Sequence, residues 1–189
     1  MESKQVLEEA VRSVNDLEGF ACQIGVGKGN GSLKILGELS KEKLLVLIDP
    51  FGEHQYRTIQ DGMPVDETAY GTRESYSTLA SLYSMVSSGT WPYFLYYPME
   101  DIEFYEHFQT GIFFYNNGEK SRLNEYCFVH FNAHKNVLNL LEGIRFFDER
   151  MVVGGKWVFE DTNELNEHQH QILDDLMEET SMVECDRYE

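Results

Sequence analysis

The fold is decided by residues 20–32, which read Phe20-Ala21-Cys22-Gln23-Ile24-Gly25-Val26-Gly27-Lys28-Gly29-Asn30-Gly31-Ser32. A short apolar run ends in closely spaced glycines, and a helical pattern begins at Ser32. Glycine lets a backbone come close to a ligand, and the start of a helix offers N–H groups that the helix itself does not use. The stretch predicts a buried strand, a binding loop and a helix. A glycine-rich turn that binds no ligand is the alternative that it leaves open.

The spacing of these glycines disfavours two common nucleotide motifs. Counted from Gly25, the GxGxxG dinucleotide pattern puts Asn30 at its third glycine position, and counted from Gly27 it puts Ser32 there. A Walker A loop also fails, because no Gly-Lys-Ser or Gly-Lys-Thr triplet is present. A nicotinamide-dependent dehydrogenase is therefore disfavoured.

Strand-like and helix-like segments alternate along the chain. Apolar runs of strand length lie at 20–26, 44–48, 91–97, 126–131 and 156–159, and helical patterns lie at 32–39, 74–87, 101–108, 136–150 and 164–179. Short runs that are apolar throughout suit parallel strands buried on both faces. The order predicts an α/β fold: a Rossmann-like, doubly wound, mostly parallel sheet with helices on both faces, shortened at the C-terminus.

One domain over residues 1–189 is expected. It divides into a leading helix at 1–19, a cofactor-binding core at 20–165, and an acidic helix and tail at 166–189. Residues 50–72 are polar and glycine-containing, which predicts a long loop over the site, with Phe51, Tyr56 and Tyr70 available to pack on a sugar or ring. Asn116-Asn117-Gly118 predicts a turn, and Gly154-Gly155 predicts a turn into the fifth strand.

Charge and cysteine usage limit the partners. The formal net charge is -18, and residues 160–189 hold eleven Asp and Glu against Arg187 as the only Lys or Arg. Such a chain repels nucleic acid and anionic membranes, so neither is expected as a partner. The acidic end is predicted to be a solvated surface, with recruitment of a basic partner as the alternative. Three widely spaced cysteines and no apolar run of signal or membrane length predict a cytoplasmic protein. A homo-oligomer is left open.

Polar residues at the predicted strand ends are the candidate site. Asp49 follows the second strand, where a carboxylate suits a ribose diol, although a helix cap or loop Asp is the alternative. Glu160 and Asp161 follow the fifth strand, and Asn132 and His134 follow the fourth. Two carboxylates and an amide oxygen could bind a hard ion such as Mg²⁺, whereas capping of the next helix by Asp161 or Thr162 is the alternative. His134 alone is more typical of a surface histidine.

Four segments carry a resemblance to a known family. They are IGVGKGNGSL at 24–33, LLVLIDPFG at 44–52, FVHFNAHKN at 128–136 and RFFDERMVVGGKWVFEDTN at 145–163. In this order and spacing they resemble the macrocin O-methyltransferase family and the related cephalosporin hydroxylase and rhamnosyl O-methyltransferase group. Those proteins are class I S-adenosylmethionine-dependent methyltransferases, and the resemblance covers residues 20–165.

The resemblance implies a role for each matching residue. Cradling of the methionine part of S-adenosylmethionine would fall to Gly25, Lys28, Gly29 and Gly31. Asp49 would hold the ribose, and Glu100 or Asp101 would contact the adenine. Glu160 and Asp161 match the family's metal carboxylates, with Asn132 as a third ligand for Mg²⁺.

The expected function is metal-assisted O-methylation of a small hydroxylated substrate of the sugar or natural-product type. The metal would lower the pKa of the substrate hydroxyl, and His134 or Asp161 would take its proton. The alternative is a catalytically degenerate protein that binds S-adenosylmethionine or a protein partner without turnover. The family has an acid where Gln23 stands, an Asp where this chain reads Asn132-Ala133-His134, and a terminal hairpin that is not found here.

Overall fold

A computed structural model describes residues 3–50, 55–60, 63–68, 72–89, 91–116, 118–132, 137–160, 171 and 174–175. The helices are α1 Ser3–Ser13, α2 Asn30–Glu38, α3 Thr72–Ser87, α4 Asp101–His107 and α5 Val137–Asp148. The strands are β1 Phe20–Ile24, β2 Leu44–Ile48, β3 Gln55–Gln60, β4 Met63–Thr68, β5 Tyr93–Tyr97, β6 Ile112–Asn116, β7 Glu119–Leu123, β8 Tyr126–Phe131 and β9 Met151–Phe159. Within these ranges, no helix is both long and apolar enough to cross a membrane.

Five of the strands form one parallel sheet, in the order β5-β2-β1-β8-β9. From β1 the chain moves outward through β2 to β5, then returns past β1 to β8 and β9. This reversal between β1 and β8 opens a crevice at the carboxyl ends of the strands, which is where ligands bind in such sheets. The predicted Rossmann-like, doubly wound sheet is confirmed.

Both faces of the sheet are covered. In β2, Leu45 and Leu47 pack in a core cluster with side chains of α1, α2 and α3. Val46 and Ile48, which point the other way, pack in a second cluster with side chains of α4 and α5. Because successive strand residues face opposite sides, burial of both sets explains why β2 is apolar throughout.

Helix α1 is shorter than predicted, ending at Ser13 instead of near Gly19. Asn15 bonds to the segment after α2 instead of continuing the helix. Its Nδ2 donates to the Glu38 carbonyl at 2.8 Å, and its Oδ1 accepts from the Ser40 amide at 2.7 Å. Asparagine side chains compete with helix in this way, and here the bonds tie the end of α1 to the end of α2.

The predicted long loop over residues 50–72 is wrong for its central part, which forms an antiparallel hairpin. Strand β3 pairs with β4 from Gln55 opposite Thr68 to Gln60 opposite Met63. The missed signal is Asp61-Gly62, a typical two-residue hairpin dipeptide, with the β-branched residues Thr58, Ile59 and Val65 close on either side. Phe51 and Tyr70, proposed above as ring-stacking residues, lie outside the described residues.

A second hairpin surrounds the predicted turn at Asn116-Asn117-Gly118. Strands β6 and β7 pair antiparallel, with Asn116 opposite Glu119, and Gly118 has a φ of 86°. The turn was predicted, whereas the two flanking strands were not. Strand β7 reads Glu-Lys-Ser-Arg-Leu, and its polar composition hides the strand from a search for apolar runs.

Strand β9 begins earlier than predicted, at Met151 instead of Lys156. Tyr126 pairs with Met151, and Phe128 pairs with Lys156. Between these two pairs β9 contains more residues than β8, so the register shifts there. Gly154 and Gly155 lie in this irregular part, inside the strand and not before it. Of the predicted helix at 164–179, residues 171, 174 and 175 are described and are helical; the rest of that segment and the tail lie outside the described residues.

Two helical glycines should respond oppositely to alanine. A Cβ at Gly143 of α5 would lie 2.6 Å from the Tyr105 hydroxyl oxygen and 2.9 Å from the Phe131 ring, whereas at Gly37 of α2 the nearest atom is a Trp91 ring carbon at 3.6 Å. We expect Gly143→Ala to lower the free energy of unfolding by about 1–3 kcal/mol through overpacking. Gly37→Ala should raise it by about 0.5–1 kcal/mol, because alanine favours helix. Urea denaturation measures both, and equal effects would contradict the packing of α4 on α5.

Candidate functional site

The glycine loop leaves the end of β1 at the point where the strand order reverses. The Gly25 amide donates to the Ile48 carbonyl at 2.9 Å, which keeps the loop start beside the end of β2. Gly25, Gly27 and Gly29 have φ values of 80°, 52° and 80°. These left-handed conformations favour glycine. Gly29 then forms the N-cap of α2 with no side-chain cap hydrogen bond.

Asp49 lies at the same end of the sheet as the loop, as predicted. Its Oδ2 accepts hydrogen bonds from the amides of Val26 at 2.7 Å and Gly27 at 3.0 Å. Its backbone carbonyl accepts from the Tyr96 hydroxyl at 2.9 Å, which links the ends of β2 and β5. The carboxylate therefore holds the loop in shape, which is the structural role that the sequence left open as the alternative to ribose binding.

Two of the glycines are also required by packing inside the protein. A Cβ on Gly29 would lie 2.7 Å from the methyl group of Thr78 on α3. A Cβ on Gly31 would lie 2.9 Å from Nε2 of Gln23 and 3.2 Å from the ring of His130. Contacts this short force atoms to shift. Gly29 therefore lets α3 approach the loop, and Gly31 lets α2 pack closely on β1 and β8. Lys28, which precedes Gly29, is exposed. A cradle for methionine remains a prediction.

Buried amide groups fill the space beneath the loop. Gln23 is fully buried, its Oε1 accepts from the Ser32 hydroxyl at 2.7 Å, and its Nε2 donates to the Gly25 carbonyl at 2.9 Å. The Asn132 side chain donates to the same carbonyl at 3.1 Å. The Gly25 carbonyl thus receives two N–H donors, which matches its two lone pairs.

A histidine that sequence analysis missed lies next to Gln23. His130 of β8 pairs in register with Gln23, is fully buried, and packs under the first turn of α2. Its Nε2 lies 3.4 Å from Oε1 of Glu160, longer than an ordinary hydrogen bond, and Glu160 is 33% exposed. The contact lowers the pKa of the Glu160 carboxyl; burial opposes this shift and the charge of Lys34 adds to it. The signal was a single polar side chain inside the run YCFVHF.

Glu100 and Asp101 lie after β5, where the resemblance expects an adenine contact. Glu100 is the N-cap of α4 and forms a capping box with Glu103. Asp101 is buried, which raises the pKa of its carboxyl, and its Oδ1 accepts from the Ile102 amide at 2.9 Å and from Asn139 of α5 at 3.3 Å. Both side chains thus stabilise α4. Contact with adenine remains a prediction.

Of the remaining predicted site residues, the structure describes Glu160, whereas His134 and Asp161 lie outside the described residues. Glu160 stays attached to β8 through its amide, which donates to the Phe131 carbonyl at 2.9 Å. Across the described ranges, no group of three or more His, Cys, Asp or Glu side chains could hold a metal ion. The described residues alone therefore do not complete the predicted Mg²⁺ site.

Comparison with solved structures identifies proteins of the same fold. An rRNA methylase from Streptococcus thermophilus is 14% identical, with a TM-score of 0.51, covering 91% of this chain and 76% of the other. A protein from Corynebacterium glutamicum is also 14% identical, with a TM-score of 0.63, covering 99% of this chain and 75% of the other. At this identity the likeness shows the fold alone. No protein-family model and no curated protein matches the sequence, so the resemblance to the macrocin family is not confirmed.

Replacing Asp49 should destabilise the protein even without a ligand. Asp49→Ala removes the acceptor of two loop amides, and we expect a loss of about 2–3 kcal/mol, because hydrogen bonds to a charged group are stronger than neutral ones. Asp49→Asn keeps one acceptor oxygen and should lose roughly 1 kcal/mol. Asp16→Asn, at an exposed position, should change stability by less than about 0.5 kcal/mol. If urea unfolding finds both Asp49 variants as stable as the wild type, the loop does not depend on this carboxylate.

Proposed function

We propose that this chain binds S-adenosylmethionine at the carboxyl edge of its sheet and transfers the methyl group to a small hydroxylated molecule. The observation that carries the proposal is the link between the glycine loop and Asp49, through the amides of Val26 and Gly27. An acidic residue beside a glycine-rich strand end is the arrangement that suits an adenosine ribose in sheets of this kind.

The ribose and the methionine part of the proposed cofactor would bind to different groups of the protein. A carboxylate has about four acceptor sites, which is more than the two loop amides of Val26 and Gly27 use, so Asp49 is suited to accept from a ribose hydroxyl as well. The start of α2 has no side-chain cap, and a helix N-terminus favours a negative group such as the carboxylate of the methionine part. The ligand would thus span from the end of β2 to the first turn of α2.

A similar solved structure supports the reaction type, and the net charge of the chain limits the class of methyl acceptor. One similar structure is named an rRNA methylase, which favours methyl transfer over the non-catalytic alternative. A net charge of -18 disfavours RNA as the acceptor of this chain, because its phosphates would be repelled. We therefore favour a small, uncharged or cationic molecule that carries a hydroxyl group.

Metal assistance is a finer part of the proposal. It requires Asp161, which lies outside the described residues, together with Glu160. The Asn132 nitrogen donates to the Gly25 carbonyl, so Asn132 could offer an ion only its oxygen. A site with two carboxylates and one amide would hold Mg²⁺ more weakly than a site with three carboxylates.

S-adenosylmethionine and its demethylated product should raise the melting temperature. A ligand at a hundredfold excess over its Kd stabilises the native state by about 2.7 kcal/mol, which corresponds to roughly 5–10 °C for a domain of this size. Asp49→Asn, which leaves the loop an acceptor but replaces one carboxylate oxygen by an amide, should remove most of the shift. Differential scanning fluorimetry measures it.

Two controls make the thermal experiment decisive. Asp16→Asn should keep the full shift, and NADH should give none to the wild type, because the glycine spacing disfavours a dinucleotide. No shift at millimolar S-adenosylmethionine would reject the proposed function. A shift without methyl transfer to any hydroxylated acceptor would support the degenerate alternative.

Asn132→Asp tests the metal. The variant cannot donate to the Gly25 carbonyl, so its carboxylate should turn away from that oxygen and offer a third negative charge at the edge. We expect calorimetry to find weak Mg²⁺ binding to the wild type and tighter binding to the variant. Unchanged affinity would mean that Asn132 does not face the ion.

A further inference from the structure

The position at which the resembling family carries an acid is electrically neutral here. Gln23 is fully buried, and both ends of its amide are engaged, with Ser32 on one side and the Gly25 carbonyl on the other. Asn132 also donates to that carbonyl. Position 23 therefore supplies no negative charge for a cationic group of a ligand at the end of β1.

Glu160 brings negative charge to the same edge and the same side of the sheet. It follows Phe159 of β9. Its carboxylate lies near His130, a β8 residue whose ring faces α2, and near Lys34 of α2. The His130 ring bridges the distance, since Cε1 lies 3.2 Å from where a Cβ of Gly31 would be, while Nε2 lies 3.4 Å from Glu160. The His130 ring thus lies between Glu160 and the first turn of α2.

His130 has no ordinary hydrogen bond from either ring nitrogen among the described residues. Burying a polar ring without such bonds is unfavourable, and an apolar residue would fit strand β8 at lower cost. Its one polar contact in the described part of the chain is the approach to Glu160. The presence of a histidine at position 130 is therefore best explained by its contact with the Glu160 carboxylate, which it positions.

The other carboxylates near the edge have structural partners. Asp49 accepts the Val26 and Gly27 amides, and Glu100 caps α4. Glu160 contacts buried His130 on one side and keeps a third of its side chain exposed at the edge of the sheet. An ionised carboxylate at a binding edge favours a cationic group.

We propose that Glu160, positioned by His130, binds the ammonium group of the amino-acid part of the adenosyl ligand. This inference rests on the proposed binding of S-adenosylmethionine and names the residue that binds the cationic group of that ligand. It is an alternative to the metal role of Glu160, because the same carboxylate would otherwise be taken up by the ion. His130 is a positioning residue that does not touch the ligand.

The test compares two ligands by calorimetry, in buffer with a chelator. S-adenosylhomocysteine carries the ammonium group, and 5′-methylthioadenosine lacks the amino-acid part. We expect Glu160→Gln to weaken S-adenosylhomocysteine at least tenfold and to leave 5′-methylthioadenosine within twofold. His130→Phe should weaken S-adenosylhomocysteine alone, and His130→Gln, which keeps an N–H donor, should restore part of the loss.

The matched control is Glu42→Gln, which removes one charge before β2, at the opposite end of the sheet, and should change neither affinity. Three results for Glu160→Gln would overturn the inference. They are an equal loss of affinity for both ligands, no loss of affinity for either ligand, and a loss of affinity that appears only when Mg²⁺ is added. If the wild type binds 5′-methylthioadenosine as tightly as S-adenosylhomocysteine, this inference fails and the nucleoside site stands. If the wild type binds neither ligand, the proposed function fails with it.

Discussion

The carboxylate of Asp49 joins two strand ends, and the arrangement of the whole sheet edge depends on that contact. A loop with three left-handed glycines has many conformations open to it when unfolded, so ordering it is costly. Charge-assisted bonds from the Val26 and Gly27 amides offset part of that cost. With the loop fixed, α2 starts at Gly29 in one direction only, and its first turn comes down over Gln23 and His130.

Close packing and ligand access both require small residues in this glycine loop. Gly29 faces Thr78, and Gly31 faces Gln23, at distances that no Cβ could occupy without displacing atoms. Close packing inside the protein and close approach of a ligand both require glycine at such positions. The glycine motif in the sequence therefore does not distinguish between them. The fold shows that packing against the protein accounts for these two glycines without a ligand. The case for a ligand rests instead on Asp49, on the position of the loop at the strand-order reversal, and on the polar side chains beneath it.

Sequence patterns predicted the parts of the fold that depend on local burial. The run at 44–48 is a central strand because it is apolar on both faces, and Asp49 could be placed at the sheet edge because it follows that run. The hairpins β3–β4 and β6–β7 were missed because β3, β4 and β7 are rich in polar residues and because each strand is defined by pairing with its neighbour. His130 was missed because its importance comes from neighbours on β1, α2 and β9, which sequence distance conceals.

The placement of charge at this edge follows from the cost of burial. At position 23 a carboxylate would be fully buried, and an isolated buried charge costs several kcal/mol, about what a whole domain can spare. Gln23 fills the same space with a neutral amide and satisfies Ser32 and the Gly25 carbonyl. Glu160, a third exposed and close to His130 and Lys34, keeps much of its hydration while charged. An edge built this way retains negative charge at its rim and neutral hydrogen bonds inside, so a cation would be drawn to the β9 side of the crevice and away from β1.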